Sequence, residues 1–224
     1  MRTGNNCLIC GGSEARPLVA DLMRCSACGA ILSLLDPDYS LYGREYHEKY
    51  VRYSRTELGR AISAERWEFV SRNMPGGGKL LDYGCGSGHF IDTNPNGKFH
   101  VAGYDVNPFS GRSAQEVLRA EFDGVTFWDS LEHVPVPKAL IAGLSRPEWV
   151  FLTVPDCSSV LGEQIMRWRH YRPGEHLHYF TPESLCVMLR GLGYSVREVN
   201  RKEAILRNPD EPDWLISVAA KRTS

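Results

Sequence analysis

The chain has 224 residues, 42% hydrophobic and 24% charged, proportions that exclude a disordered chain or a fibre and leave room for one ordinary domain plus a small appendage. Its 26 Lys and Arg against 27 Asp and Glu supply no global pull toward phosphate backbones or anionic lipid. No apolar run approaches the roughly 20 residues of a bilayer-spanning helix, and the polar start Met1-Arg2-Thr3-Gly4-Asn5-Asn6 lacks a signal-peptide core, so the expected setting is the cytoplasm, with no membrane partner.

Residues 1–38 carry Cys7-x-x-Cys10 and Cys25-x-x-Cys28, with 14 residues between the pairs. So short a segment cannot build an adequate apolar core and needs a staple. Two such pairs can place four thiolates tetrahedrally about one zinc ion, and Gly11 and Gly29 follow each second cysteine, where a knuckle turn wants no Cβ. The alternative, two disulfides or redox pairs, fits a secreted protein better than this one. Four protein ligands close the coordination shell, so the expected zinc is structural. Zinc ribbons often bind nucleic acid, but residues 1–40 hold three basic and four acidic side chains; that use is not favoured.

Residues 39–74 read as a helical connector or lid. Tyr42, Tyr46 and Tyr50, with His47, fall at near-helical spacing, for which packing outweighs a substrate-stacking role. From residue 54 to 74, Leu58, Ile62, Phe69 and Val70 mark one amphipathic helix, ended by Pro75-Gly76-Gly77-Gly78. The main domain is placed at 75–224. Strands are expected over 79–83, 100–104, 123–128 and 149–154, with a helix at 137–144 that begins on Pro137. Thr181-Pro182-Glu183 caps a helix running to the glycines at 191–193. Two last strands, 194–199 and 214–220, are joined by a polar loop containing Asn208-Pro209-Asp210-Glu211-Pro212-Asp213. Strand–helix alternation predicts an α/β fold: a mostly parallel sheet with helices on both faces, and an antiparallel C-terminal edge strand.

Strand 79–83 runs into Leu80-Leu81-Asp82-Tyr83-Gly84-Cys85-Gly86-Ser87-Gly88-His89-Phe90, a turn that lets the backbone approach a ligand. Dinucleotide binders want Gly-x-Gly-x-x-Gly. Here the third glycine comes one residue early and His89 holds its usual place. Asp82 would repel a pyrophosphate and attract a cationic amino-acid moiety.

This stretch resembles the first motif of class I S-adenosylmethionine-dependent methyltransferases, Leu-Asp-x-Gly-Cys-Gly-x-Gly. Val101-Ala102-Gly103-Tyr104-Asp105 resembles their second strand, whose terminal acid binds both ribose hydroxyls. Phe127-Trp128-Asp129-Ser130-Leu131-Glu132-His133-Val134 is similar to the fourth-strand motif that lines the cofactor. Glu175-His176-Leu177-His178-Tyr179-Phe180-Thr181-Pro182-Glu183-Ser184-Leu185 resembles a later segment of the same subfamily. The resemblance spans roughly residues 75–200. It implies a Rossmann-like fold and a cofactor held by Asp82, Gly84, Gly86, Gly88, Asp105, Val106, Trp128, Asp129 and Ser130. With the zinc-binding segment in front, the chain resembles sugar C-methyltransferases of deoxysugar pathways, which implies a small-molecule acceptor such as a sugar or nucleotide-linked metabolite. Only 17 residues separate Asp105 from Asp123, so the element that usually carries the adenine-contacting acid is expected to be truncated.

Methyl transfer from a sulfonium is a direct displacement, and most acceptors also need a general base. His133 is the first candidate, with a second-shell role beside Glu132 as the alternative. His176 and His178 sit in a loop between helices, where alternate spacing would turn them to the same side; their alternative is a structural role. Arg167, Arg169, His170 and Arg172 could grip an anion or form a solvated face. Cys85 and Cys186 read as small apolar fillers, and Cys157 as a candidate pocket wall. Two other functions remain open: methylation of nucleic acid or protein delivered by the zinc segment, or a non-catalytic interaction module on a degenerate fold.

Overall fold

The structure, a computed structural model, describes residues 6–223 apart from 14, 96, 212 and 213. The polar start and, in the final loop, Pro212 and Asp213 lie outside the described residues.

β4 (Gly78–Tyr83), β5 (Phe99–Tyr104), β6 (Gly124–Trp128) and β7 (Trp149–Pro155) are the four expected parallel strands. β9 (Tyr194–Asn200) and β10 (Leu215–Arg222) complete a sheet ordered β5-β4-β6-β7-β10-β9. β10 runs antiparallel to both β7 and β9, so antiparallel pairing is confined to this edge, with β10 one place inside it. β7 is buried along its whole length, the all-apolar signature of a strand covered on both faces. Between β5 and β6 the chain makes only two short 3₁₀ turns, at Pro108–Ser110 and Gln115–Arg119. The expected truncation is present, and β5 is the sheet's other edge.

The helix expected over 54–74 is present as one helix, and a separate one precedes it in the tyrosine-rich stretch. α1 (Arg44–Ser54) stops at Arg55, and Thr56 caps α2 (Glu57–Asn73) by accepting from the Gly59 amide at 3.0 Å. A Cβ on Gly59 would lie 2.4 Å from the Tyr53 carbonyl, so the close turn between the helices requires glycine. α2 buries Ile62, Trp67, Phe69 and Val70 on the sheet, with Trp67 stacked on Phe90 at 4.2 Å and Phe69 edge-on to Phe151 at 5.8 Å. Phe90 belongs to the short α3 (His89–Asp92) that opens on Gly88. α4 (Pro137–Gly143) and α5 (Pro182–Gly191) match expectation, α5 closing a capping box between Thr181 and Ser184. One further helix, α6 (Lys202–Arg207), lies within the expected polar loop.

The cysteine segment forms β1 (Ala15–Val19), β2 (Leu22–Cys25) and β3 (Ile31–Ser33). A fourth strand, β8 (His178–Tyr179), extends this small sheet in the order β1-β2-β3-β8.

Candidate active site

A cavity of about 330 Å³ opens past the C-terminal ends of β4, β5, β6 and β7, walled on its outer side by α1. This is where open α/β sheets bind ligands.

One wall is the glycine turn. Asp82, 2% exposed, accepts from the Thr126 hydroxyl at 2.7 Å, yet its loss of solvation pushes its pKa up to about 6. Gly84 has φ +80°, and a Cβ there would lie 2.4 Å from Cβ of Ser130, whose hydroxyl donates to the Tyr83 carbonyl at 2.7 Å. Gly86, at φ +52°, faces open space, since an added Cβ would meet nothing within 4 Å. Its amide donates to Asp105 Oδ2 at 2.7 Å, and the Asn107 amide donates to Oδ1 at 2.7 Å. Asp105 is therefore aimed beside the open bend, with lone pairs to spare. Val106, half exposed, and Trp128 also line the cavity. A carboxylate next to an uncrowded bend fits a ligand carrying a ribose and an amino-acid ammonium. Gly88 lies off the cavity; it caps α3 at φ +80°, under the Arg112 guanidinium.

The opposite wall is imidazole-rich. His133 Nδ1 lies 3.0 Å from the Tyr42 hydroxyl and 3.0 Å from the Glu175 carbonyl. A carbonyl only accepts, so the geometry assigns the ring proton to Nδ1 and leaves Nε2 basic, 4.0 Å from Glu132 Oε1. His176 stands edge-on to His133 with centroids 4.7 Å apart. Burial holds both pKa values down, His176 further than His133, aided by its cationic neighbours. Both rings are thus neutral bases at pH 7. Glu132, 1% exposed, is pushed well above the carboxylate range by burial, and neither its Oε2 nor His176 Nδ1 has a hydrogen-bond partner among the described residues. His178 does not share the cavity: it is fully buried, and its Nε2 donates to the Pro135 carbonyl at 3.2 Å. The expected alternation fails because the His176 amide is still in a turn, bonded to the Arg172 carbonyl, and the strand begins two residues later.

Asp129 lines the cavity at φ +51°, but its carboxylate is spent on Arg66, at 2.6 Å, and on Arg207. Glu203 completes this cluster between the same two arginines. The sequence reading missed Arg66, Glu203 and Arg207; a carboxylate or guanidinium in an apolar helix face was the only signal. It also missed Tyr42 and Glu175 as partners of His133. Of the basic run, His170 and Arg172 line the cavity, whereas Arg169 packs over Trp214 at 3.9 Å. Cys85 is a buried part of the wall; Cys157, fully buried, is not.

Cys7, Cys10, Cys25 and Cys28 converge, their sulfurs all within 4.8 Å of one another. Cys7 and Cys28 are 3.7 Å apart, and Cys10 and Cys25 3.6 Å, close to the roughly 3.8 Å that a tetrahedron with 2.3 Å zinc–sulfur bonds requires. All four are free thiols. The Cys7–Cys28 contact favours one shared proton, which lowers one thiol of the pair and raises the other. Glu132, His133 and His176 are the second group among the described residues compact enough for a cation.

The methyltransferase-domain family model matches residues 50–199, and the chain belongs to that family. It is a class I S-adenosylmethionine-dependent methyltransferase. The ubiquinone biosynthesis O-methyltransferase of Xanthomonas axonopodis pv. citri (strain 306) is 28% identical over 173 residues, 62% of this chain and 72% of that protein. The namesake from Thiobacillus denitrificans (strain ATCC 25259 / T1) is 27% identical over 62% and 74% of the two chains. Among solved structures, magnesium protoporphyrin IX methyltransferase from Synechocystis PCC 6803 superposes with a TM-score of 0.59 at 15% identity, covering 82% of this chain and 97% of that one. The 1,6-didemethyltoxoflavin-N1-methyltransferase of Burkholderia thailandensis gives 0.54 at 16%, covering 94% and 100%. At such identities these two likenesses concern the fold alone. No helix among the described residues is long and apolar enough to cross a membrane.

Proposed function

We propose that the protein is a cytoplasmic enzyme that methylates a small molecule, with a structural zinc on its four N-terminal cysteines. The observation that carries this reading is that one cavity joins the carboxylate-and-glycine wall to the neutral histidine pair. S-adenosylmethionine, when bound, supplies a methyl group on a sulfonium. Asp105 accepts from the ribose hydroxyls, Asp82 attracts the ammonium, and Gly84, Gly86, Val106 and Trp128 to Ser130 complete the cradle. Gly88 supports that cradle by opening α3, and His178, through the Pro135 carbonyl, supports the turn that follows His133.

At the far wall His133 Nε2 takes the acceptor's proton. The Glu175 carbonyl and Tyr42 hydroxyl hold that ring in place, and His176 is the second candidate base. The walls carry tyrosines and histidines with Arg172 and few aliphatic side chains, which suits a polar ring such as a sugar or a phenol with an ionisable hydroxyl. The names of the two relatives, both ubiquinone biosynthesis O-methyltransferases, agree with an oxygen acceptor.

S-adenosylhomocysteine should bind one-to-one in calorimetry. Asp105→Ala removes two hydrogen bonds to a charged acceptor, about 1.5–3 kcal/mol each, so affinity should fall at least about a hundredfold. Unchanged affinity overturns the ribose assignment. Labelled cofactor incubated with a metabolite extract should then yield one methylated small molecule, and no methylated RNA or protein.

A further inference from the structure

The cysteine segment does not form its sheet alone. Its fourth strand comes from the main domain, and Ile31 and Leu32 of β3 pair with Tyr179 and His178 of β8. Just ahead of that strand, the Ser33 amide donates to the Leu177 carbonyl at 3.0 Å, and the Leu177 amide donates to the Glu132 carbonyl at 2.9 Å. Leu177 therefore bridges the cysteine segment to the backbone between Glu132 and His133, and it follows His176 directly. Past the strand, the Thr181 hydroxyl donates to the carbonyl of Cys28 at 3.2 Å, and Gly29 of the same knuckle packs on Thr181. Ahead of it, the Tyr171 hydroxyl donates to Asp21 Oδ1 at 2.9 Å, and Ser33 Oγ donates to Asp21 Oδ2 at 3.0 Å.

The stretch from Tyr171 to Thr181, which brings His176 to the cavity, is thus fastened at three places, each within or next to the four-cysteine unit. The cofactor wall is fastened elsewhere: β4 pairs with β5 and β6, and the amides of Gly84 and Cys85 bond the Tyr104 carbonyl. The segment is too small for a core of its own: Ile9, Met23, Ala30 and Leu32 join the main apolar core, and a bound metal would supply the rest of its folding energy.

We propose that the four-cysteine unit is a metal-dependent clamp that positions the acceptor half of the active site and leaves the cofactor half untouched. Zinc on Cys7, Cys10, Cys25 and Cys28 keeps β3 in register, β3 keeps Leu177, and Leu177 keeps His176 edge-on to His133. Zinc loss then disables acceptor deprotonation in a protein that still binds its cofactor. This rests on the methyltransferase reading given above.

The test uses the full chain, loaded with zinc and then stripped by a chelator under reducing conditions. Amide hydrogen exchange over residues 171–181, the histidine imidazole nitrogen spectrum and calorimetric affinity for S-adenosylhomocysteine are read in each state. Stripping should speed exchange in that stretch at least about tenfold and shift the His133 and His176 signals, while affinity stays within about threefold. Asp21→Ala, which removes the Tyr171 fastening and a bond to Ser33 without touching the cysteines or the cavity, should produce part of the same exchange change in zinc-loaded protein. Unchanged exchange and imidazole signals after stripping overturn the clamp. Parallel loss of cofactor affinity also overturns it, because the segment then supports the whole fold. Failure of zinc-loaded wild type to bind S-adenosylhomocysteine would instead strike the methyltransferase reading, and the exchange result would stand apart from it.

Discussion

Asp82 illustrates a side chain kept at a cost to folding. It is fully enclosed at the end of a central strand, with one hydroxyl partner and no cation in contact, and its pKa of about 6 records that expense. A carboxyl whose folded pKa is raised contributes stability below its unfolded value, near 4, and loses it as pH rises through the folded value. At pH 8 the ionised form therefore costs about 3 kcal/mol, the equivalent of the shift. An ammonium ligand reverses the preference, because it needs the carboxylate. Asp82→Asn should accordingly raise the melting temperature of the ligand-free protein at pH 8 and weaken S-adenosylhomocysteine binding. In wild type the affinity should also fall by up to about tenfold per pH unit below 6, and in the variant that slope should vanish. A wild-type affinity that stays flat from pH 8 to 5 would show that Asp82 does not meet the ammonium.

At the scale of elements, α6 shows how a short polar helix acquires a structural role from its surroundings. Arg207 reaches Asp129 and Glu203, and Arg66 of α2 reaches the same two acids. The two guanidiniums hold Asp129 well below the ordinary carboxylate range despite its burial. Arg207→Met keeps the packing volume but leaves the buried Glu203 and the partly exposed Asp129 sharing one cation, at a cost of about 3 kcal/mol, the low end for a broken buried pair. Thermal unfolding should then fall by roughly 10 °C, at about 2–4 °C per kcal/mol for a chain of this size. Nothing in the six residues Lys202–Arg207 announced this helix, because its ion pairs reach Asp129 and Arg66, 78 and 137 residues back along the chain. The cysteine pairs, the glycine turn and the acid ending β5 were legible because each is a local pattern whose spacing is its function. The seating of β10 between β7 and β9, and of β8 beside β3, depends on pairings between distant segments. α1 showed in the sequence only as tyrosines at near-helical spacing, because it buries no residue against an apolar core. His178 was misjudged for a related reason: alternation holds only inside a strand, and His176 precedes it.

Across the whole molecule, the acceptor wall is where the cysteine-bearing sheet, the tyrosine-rich helix and the C-terminal strands meet, and His170 sits at that junction. Its ring stacks on Trp214 at 4.8 Å and lies parallel to His176 with centroids 6.3 Å apart. Burial, then the nearby Arg169 and Arg172, lower its pKa to about 4. The unfolded chain takes up this proton near pH 6.5 and the folded chain only near 4, so the stability His170 contributes is complete above 6.5 and drains away as pH falls between those values. The slope is at most about 1.4 kcal/mol per pH unit. His170→Gln removes that one titration and leaves every other group in place. Urea midpoints of wild type and variant, measured from pH 7.5 to 4.5, should therefore converge or cross as the pH drops, with the wild type losing ground by about one proton's worth of slope. Parallel curves would mean that the ring titrates alike in the folded and unfolded chain, so that neither burial nor the nearby arginines disfavour its charged form.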